Sequence, residues 1–293
     1  MLDQAQQLRT LMAQRGAAPV PPAAPAGRRT RVIAVTSGKG GVGKTNLVVN
    51  LGVAWAQRGR RVVVLDGDLG LANVDVLLGL QTRHTLAHVL RGERRLDEVV
   101  QIGPCGLGII PGASGLAELA DLTDERRDHL VAELARLDGW ADAVLVDTGA
   151  GIGAGVSALL LAAGEVVVVT TPEPTALTDA YALVKVATAA GCRAHLRLVV
   201  NQARSAREAQ MATQRLVAVA QEFLGVSLEA AGFLPYDDCL PQAVKRQVPV
   251  VLAYPQSALA GRLIALSQRL WQNRWHEAPS LHDFLQRLAL AEG

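Results

Sequence analysis

Apolar residues along the chain come in two rhythms. Short runs rich in β-branched residues recur at RVIAVTS (31–37), RVVVLD (61–66), LGIIPG (107–112), AVLVDT (143–148), EVVVVTTP (165–172), LRLVVN (196–201) and AAGFLP (230–235). They are nearly continuous rather than alternating, as a sheet buried on both faces requires. Between most of them lie alanine- and leucine-rich stretches of helical period, such as 44–58, 115–137, 175–190 and 205–223. Strand–helix alternation of this kind predicts an α/β fold with a doubly wound, mostly parallel sheet flanked by helices. Two further helices are predicted at the C-terminal end. Residues 256–275 place Leu259, Leu263, Leu266 and Leu270 on one stripe, and 280–290, after Pro279, place Leu281, Phe284, Leu285 and Leu288 on one face with Ser280 as N-cap. At the other end, Leu8, Leu11 and Met12 give residues 1–16 a helical spacing. Four prolines within 17–29 then predict an extended tether. The expected division is thus a helix (1–16), a tether (17–29), one large domain (30–276) and a C-terminal amphipathic helix (277–293).

Composition narrows the picture. Half of the 293 residues are hydrophobic, ample for a core, yet no run approaches the ~20 apolar residues that span a bilayer. The N-terminal sequence has no apolar secretory segment, and Cys105, Cys192 and Cys239 are scattered, so a cytoplasmic protein without a disulfide framework is expected. A net charge of +2 and 3% aromatics supply neither the field nor the stacking surfaces of a nucleic-acid binder. Only four lysines occur, and two of them, Lys39 and Lys44, share one glycine-rich loop.

That loop carries the chemistry. Gly38-Lys39-Gly40-Gly41-Val42-Gly43-Lys44-Thr45 fits G-x-x-x-x-G-K-[ST] between a predicted strand and a predicted helix. Its glycines let successive N–H groups point at an anion, and the helix starting near Lys44 aims its positive end at the same place. Lys44 is the expected β/γ-phosphate ligand, and Thr45 the Mg²⁺ ligand. Asp66, Asp68 and Asp147 stand at strand ends, where ligands bind in open α/β sheets.

The segment KGGVGKT resembles the deviant phosphate loop of MinD/ParA-type ATPases. The resemblance implies ATP and Mg²⁺ as cofactors, a slow regulatory ATPase, and a nucleotide-sandwich homodimer in which Lys39 reaches the partner's phosphates. It assigns Asp68 to orienting the attacking water, Asp66 to an outer role around Mg²⁺, Asp147 to the metal, and Asn201 to reading adenine. Within that family, DGDLGLANVDVLLGL (66–80), HTLAHVLRGE (84–93), IIPGASGLAELADL (109–122) and VVTTPEPTALTDAYALVK (168–185) resemble the FlhG/FleN flagellar-number regulators. Asp3-Gln4-Ala5-Gln6-Gln7-Leu8-Arg9 is similar to that group's DQAxxLR segment. The resemblance implies that Asp3, Gln4, Ala5, Leu8 and Arg9 engage an FlhF-type signal-recognition GTPase and stimulate it. It further implies reversible association with the inner face of the membrane through Leu281, Phe284, Leu285 and Leu288, and contact with a flagellar transcription activator or switch proteins. For helix 280–290 the alternative is packing on its own domain. For the whole chain the alternative is a partition or division-site ATPase of the ParA/MinD type. A ParA-type DNA surface would have to rest on Arg207 and Arg215.

Overall fold

The computed structural model describes residues 29–68, 73–112, 124–272 and 279–290. The calls on Asp3, Gln4, Ala5, Leu8 and Arg9, and on the tether up to residue 28, lie outside the described residues.

The predicted strands form one eight-stranded sheet: β1 (Arg31–Ser37), β2 (Val62–Gly67), β3 (Gln101–Ile102), β4 (Gly108–Ile110), β5 (Ala143–Ala150), β6 (Glu165–Thr170), β7 (His195–Ala203) and β8 (Leu228–Pro235), in the order β3-β4-β2-β5-β1-β6-β7-β8. Every neighbouring pair is parallel except β3 with β4. The chain moves from β1 toward one edge and later returns to build the other, so the crevice beyond the ends of β1, β2 and β5 is where ligands are expected. Register brings Asp66 of β2 directly beside Asp147 of β5.

Helices cover both faces. On one lie α1 (Lys44–Ala56), α2 (Val74–Leu78), α9 (Cys239–Lys245), α10 (Val250–Ala253) and α11 (Ala258–Gln272). On the other lie α3 (Leu86–Leu90), α4 (Leu96–Val99), α5 (Asp124–Ala135), α6 (Ala154–Ala162), α7 (Pro174–Ala189), α8 (Ala206–Leu224) and α12 (Leu281–Leu290). Each face closes a continuous apolar core against the sheet, with Val63, Val144 and Val168 turned one way and Val64, Leu145 and Val167 the other.

The C-terminal helix takes the packing alternative. Leu281, Phe284, Leu285 and Leu288 are all buried, in the same core as α5 and α6. Ser280 and Asp283 cap the helix reciprocally, and Ser280 also bridges to Arg31 at the start of β1. The face assigned to a membrane by resemblance therefore completes the fold. Its apolar periodicity marks a buried side without saying what buries it.

Candidate functional site

Three strand ends and one loop build the site. After β1 the chain turns through Gly38–Gly43 into α1, and the turn is held by contacts that only glycine permits. A Cβ on Gly38 would stand 2.2 Å from the backbone carbonyl of Asp179, so the loop is pressed against α7. Gly43, the residue before α1, has φ +89°, and a Cβ there would meet the Asn201 amide at 2.4 Å.

The two loop lysines point to different places. Lys44 is buried, and its Nζ donates to Asp147 Oδ1 at 2.7 Å. Lys39 stays about half exposed; its Nζ donates to Glu173 Oε2 at 3.2 Å and to Thr175 Oγ1 at 3.4 Å, at the start of α7. Lys39 therefore leaves the neutralisation of its own cradle to Lys44.

The carboxylates are compressed into apolar surroundings. Burial raises Asp147 above its ordinary pKa in spite of Lys44, and Asp68 pushes in the same direction. Its second oxygen, Oδ2, is buried without a hydrogen-bond partner. Asp66 is raised to about 6, by burial first and by Asp147 second. Asp66 is also busy: Oδ1 accepts from the N–H of Asp68, and Oδ2 from those of Asn73 and Val74. It ties the end of β2 to the first turn of α2. Asp68 is half-buried, and its carboxylate lies near Gly149.

An orphaned carboxylate oxygen beside a lysine and a threonine suits a hydrated divalent cation carried in with a polyphosphate. Thr45, like Lys44, favours the charged form of Asp147, and Asp147 is the group with a free lone pair. The donor set fits Thr45 and Asp147 as direct Mg²⁺ partners and Asp66 as a supporting one. No cluster of three or more His, Cys, Asp or Glu side chains able to hold a metal unaided occurs among the described residues.

Asn201 reaches the site in an unexpected role. It is 4% exposed, and its Nδ2 donates to the Val42 carbonyl at 2.8 Å, bracing the loop. Gln202, at φ 57°, donates to the Gly41 carbonyl beside it. Sequence reasoning missed Gln202, Glu173 and Thr175. Only the position of Glu173 and Thr175 just past an apolar run hinted at the site, and nothing marks a glutamine that adopts a left-handed backbone.

Residues 33–250 match the CobQ/CobB/MinD/ParA nucleotide binding domain. Over 260 residues the chain is 42% identical to the antiactivator FleN of Pseudomonas aeruginosa, covering 88% of this chain and 93% of that protein. It is 43% identical to the flagellum site-determining protein YlxH of Helicobacter pylori, over 66% of this chain and 65% of that protein. Among solved structures, the septum site-determining protein MinD complexed with Mg-ADP from Pyrococcus horikoshii superposes with a TM-score of 0.66. It shows 28% identity and covers 82% of this chain and 96% of that one.

Proposed function

The chain belongs to the CobQ/CobB/MinD/ParA family of nucleotide-binding proteins, and from that premise we propose that it is an ATP-driven switch regulating flagellar number. It is an ATPase whose cofactors are ATP and Mg²⁺. The observation that carries the reading is the split between the loop lysines, Lys44 buried on Asp147 and Lys39 turned outward to Glu173.

Before nucleotide arrives, Lys44 and Asp147 neutralise each other. With nucleotide bound, Lys44 would pair with the phosphates, and Thr45 and Asp147 would hold Mg²⁺, which would supply compensating positive charge. Asp68, on the same side as Asp147, accepts from the attacking water and holds it in line. Asn201 and Gln202 keep the Val42 and Gly41 carbonyls turned away, so that the loop N–H groups face the anion; adenine recognition by Asn201 would engage the rest of its amide. Lys39, held by an exposed pair worth no more than ~1 kcal/mol, is available to a second subunit. ATP therefore drives homodimerisation, with Lys39 acting across the interface.

Residues 1–16 act on an FlhF-type GTPase, with Gln4 reaching its nucleotide and Leu8 among the docking residues. The relation to an antiactivator extends the partner class to a flagellar transcription activator. Membrane association enters with a restriction. No helix of the described residues is long and apolar enough to cross a membrane. Releasing the four apolar side chains of α12 would cost on the order of 6–12 kcal/mol, beyond what one short amphipathic helix regains at a lipid surface.

The test is molar mass by light scattering. Wild-type protein is expected to double in mass with ATP and Mg²⁺ but not with ADP. Lys39→Ala should bind ATP and remain a monomer, and Asp68→Ala should accumulate as the dimer. A Lys39→Ala protein that dimerises normally would refute the cross-subunit role.

A further inference from the structure

At the end of α1 away from the phosphate loop lies a separate cavity of about 400 Å³. Trp55 at the close of α1, Arg58 and Arg60 in the turn leading to β2, and Gln268, Trp271 and Gln272 in the last turn and a half of α11 line it. Lys44 and Trp55 are eleven residues apart on α1, about 16 Å along its axis, and the cavity shares no residue with the nucleotide site. Its volume falls within the range of small-molecule sites.

Its walls are set by the fold. Trp55 is 1% exposed, and its Nε1 donates to the Ser267 carbonyl at 2.8 Å, so the ring is locked and its one polar atom satisfied. Trp271 stands edge-on to it, with centroids 5.2 Å apart and planes at 64°. The Arg60 guanidinium lies over the Trp271 ring, 4.8 Å from its centroid. The N–H groups of Arg58 and Arg60 both donate to the Trp55 carbonyl, at 3.0 and 3.2 Å, which fixes the turn that carries them. The Gln268 amide oxygen accepts from the Arg58 guanidinium, leaving the Gln268 NH₂ as a further donor. No carboxylate lines the cavity, and among the described residues neither guanidinium has an ion-pair partner. Arginines on an open surface keep their rotamer freedom; here the ring of Trp271 and the amide of Gln268 hold both cationic heads at one cavity. Fixed positive charge beside indole surface, with no anion of its own, lacks a partner that brings both negative charge and a flat apolar face.

We propose that this cavity binds a small planar aromatic anion. The ligand's ring extends the stack that Trp55, Trp271 and Arg60 begin. Its carboxylate or phosphate accepts from the Arg58 and Arg60 guanidiniums, in charge-assisted hydrogen bonds. The amides of Gln268 and Gln272 meet polar atoms on the ring edge. An aromatic carboxylate and a nucleoside monophosphate share this chemistry, and the experiment separates them. The site stands on this cavity alone and does not depend on the switch proposed above.

The test is isothermal titration calorimetry on the full-length chain, with ADP and Mg²⁺ in excess so that the phosphate loop is filled. GMP, 1-naphthoate and inorganic phosphate are titrated in separately. GMP or 1-naphthoate is expected to bind once per chain, and inorganic phosphate not to bind. Saturation by GMP alone identifies a nucleotide ligand, and by 1-naphthoate alone an aromatic carboxylate. Arg58→Ala/Arg60→Ala should weaken binding at least about tenfold. Trp271→Leu should do the same, whereas Trp271→Phe, which keeps a ring in the stack, should retain most of the affinity. Thermal melts of each variant accompany the titrations. Arg58 is exposed, so Arg58→Ala alone keeps the fold and carries the charge test if a Trp271 variant unfolds. Failure of both aromatic anions to bind would overturn the proposal. So would inorganic phosphate binding as tightly as GMP, or affinity indifferent to Arg58→Ala/Arg60→Ala.

Discussion

Taking away the ammonium of Lys44 leaves the Asp147 carboxylate buried, with Asp66 and Asp68 as neighbours. Lys44→Ala is therefore expected to destabilise the nucleotide-free protein by about 3 kcal/mol at pH 8. The loss should shrink as pH falls, because burial raises the pKa of Asp147 and the carboxyl takes up a proton more readily than an ordinary aspartate. Lys44→Ala/Asp147→Asn should recover most of it in urea titrations; a lysine that served phosphate alone would show no such effect. Asp66 gives a second test. Its pKa is about 6 in the folded protein, against 3.8 as the ordinary value. Between those values the folded state holds the extra proton, so stability falls as pH rises through the window and levels off above it, by about 3 kcal/mol in all. Denaturant midpoints of nucleotide-free protein should follow that slope, and Asp66→Asn should flatten it. The motif pointed to Lys44 and Thr45, because a phosphate loop sets the roles of its own residues, whereas Asp147 was singled out by its place at a strand end and by the family resemblance. The motif was silent on the three N–H groups held by Asp66, which come from the chain just beyond β2, and on the brace from Asn201 and Gln202, which distant crossovers bring to the loop.

At the level of elements, the loop–α7 contact separates two glycines of the same loop. Gly38→Ala drives a methyl into the Asp179 carbonyl, with no flexible atom to yield, whereas a Cβ on Gly40 meets nothing within 4 Å. Gly38→Ala should cost more than ~2 kcal/mol and disrupt nucleotide binding; Gly40→Ala should leave stability within ~0.5 kcal/mol. Thermal melts with and without ATP distinguish the two. For α12 the expectation is a core phenotype: Phe284→Ala should lower stability by about 3–5 kcal/mol. A free membrane anchor would instead lose liposome flotation with its melting temperature unchanged. The long strands were legible because burial on both faces writes them as unbroken apolar runs. The two-residue β3 is too short to leave such a run. The helix α6 escaped because Val156, Ala158, Leu159, Leu160 and Ala162 are all buried, leaving little polar face to set a period.

Across the whole molecule, the end of the sheet opposite the nucleotide site is tied by charge. Arg31 of β1 and Arg197 of β7 both bind Glu165 of β6, and Arg197 also reaches Glu229 of β8, whose carboxylate accepts from His195 Nε2. Arg197 and Glu165 are each 1% exposed. Arg197→Met should therefore cost about 3 kcal/mol of stability while leaving nucleotide affinity unchanged, because the network lies a full strand, about 20 Å, from the phosphate loop. Calorimetric unfolding alongside ATP titration checks both halves.

The attachment of the N-terminal segment to β1 has a mechanical consequence. That strand lies in the middle of the sheet, hydrogen-bonded along its length to β5 on one side and β6 on the other. At its root Thr30 is pinned: its N–H donates to Asp138, and its hydroxyl donates to the Ala141 carbonyl. A pull on residue 29 thus loads two parallel ladders in shear, so that many bonds must yield together rather than one after another. A partner that seizes the leading residues holds the protein by its toughest strand. Tension applied at residue 29 would meet those ladders before it reached the phosphate loop at the strand's far end.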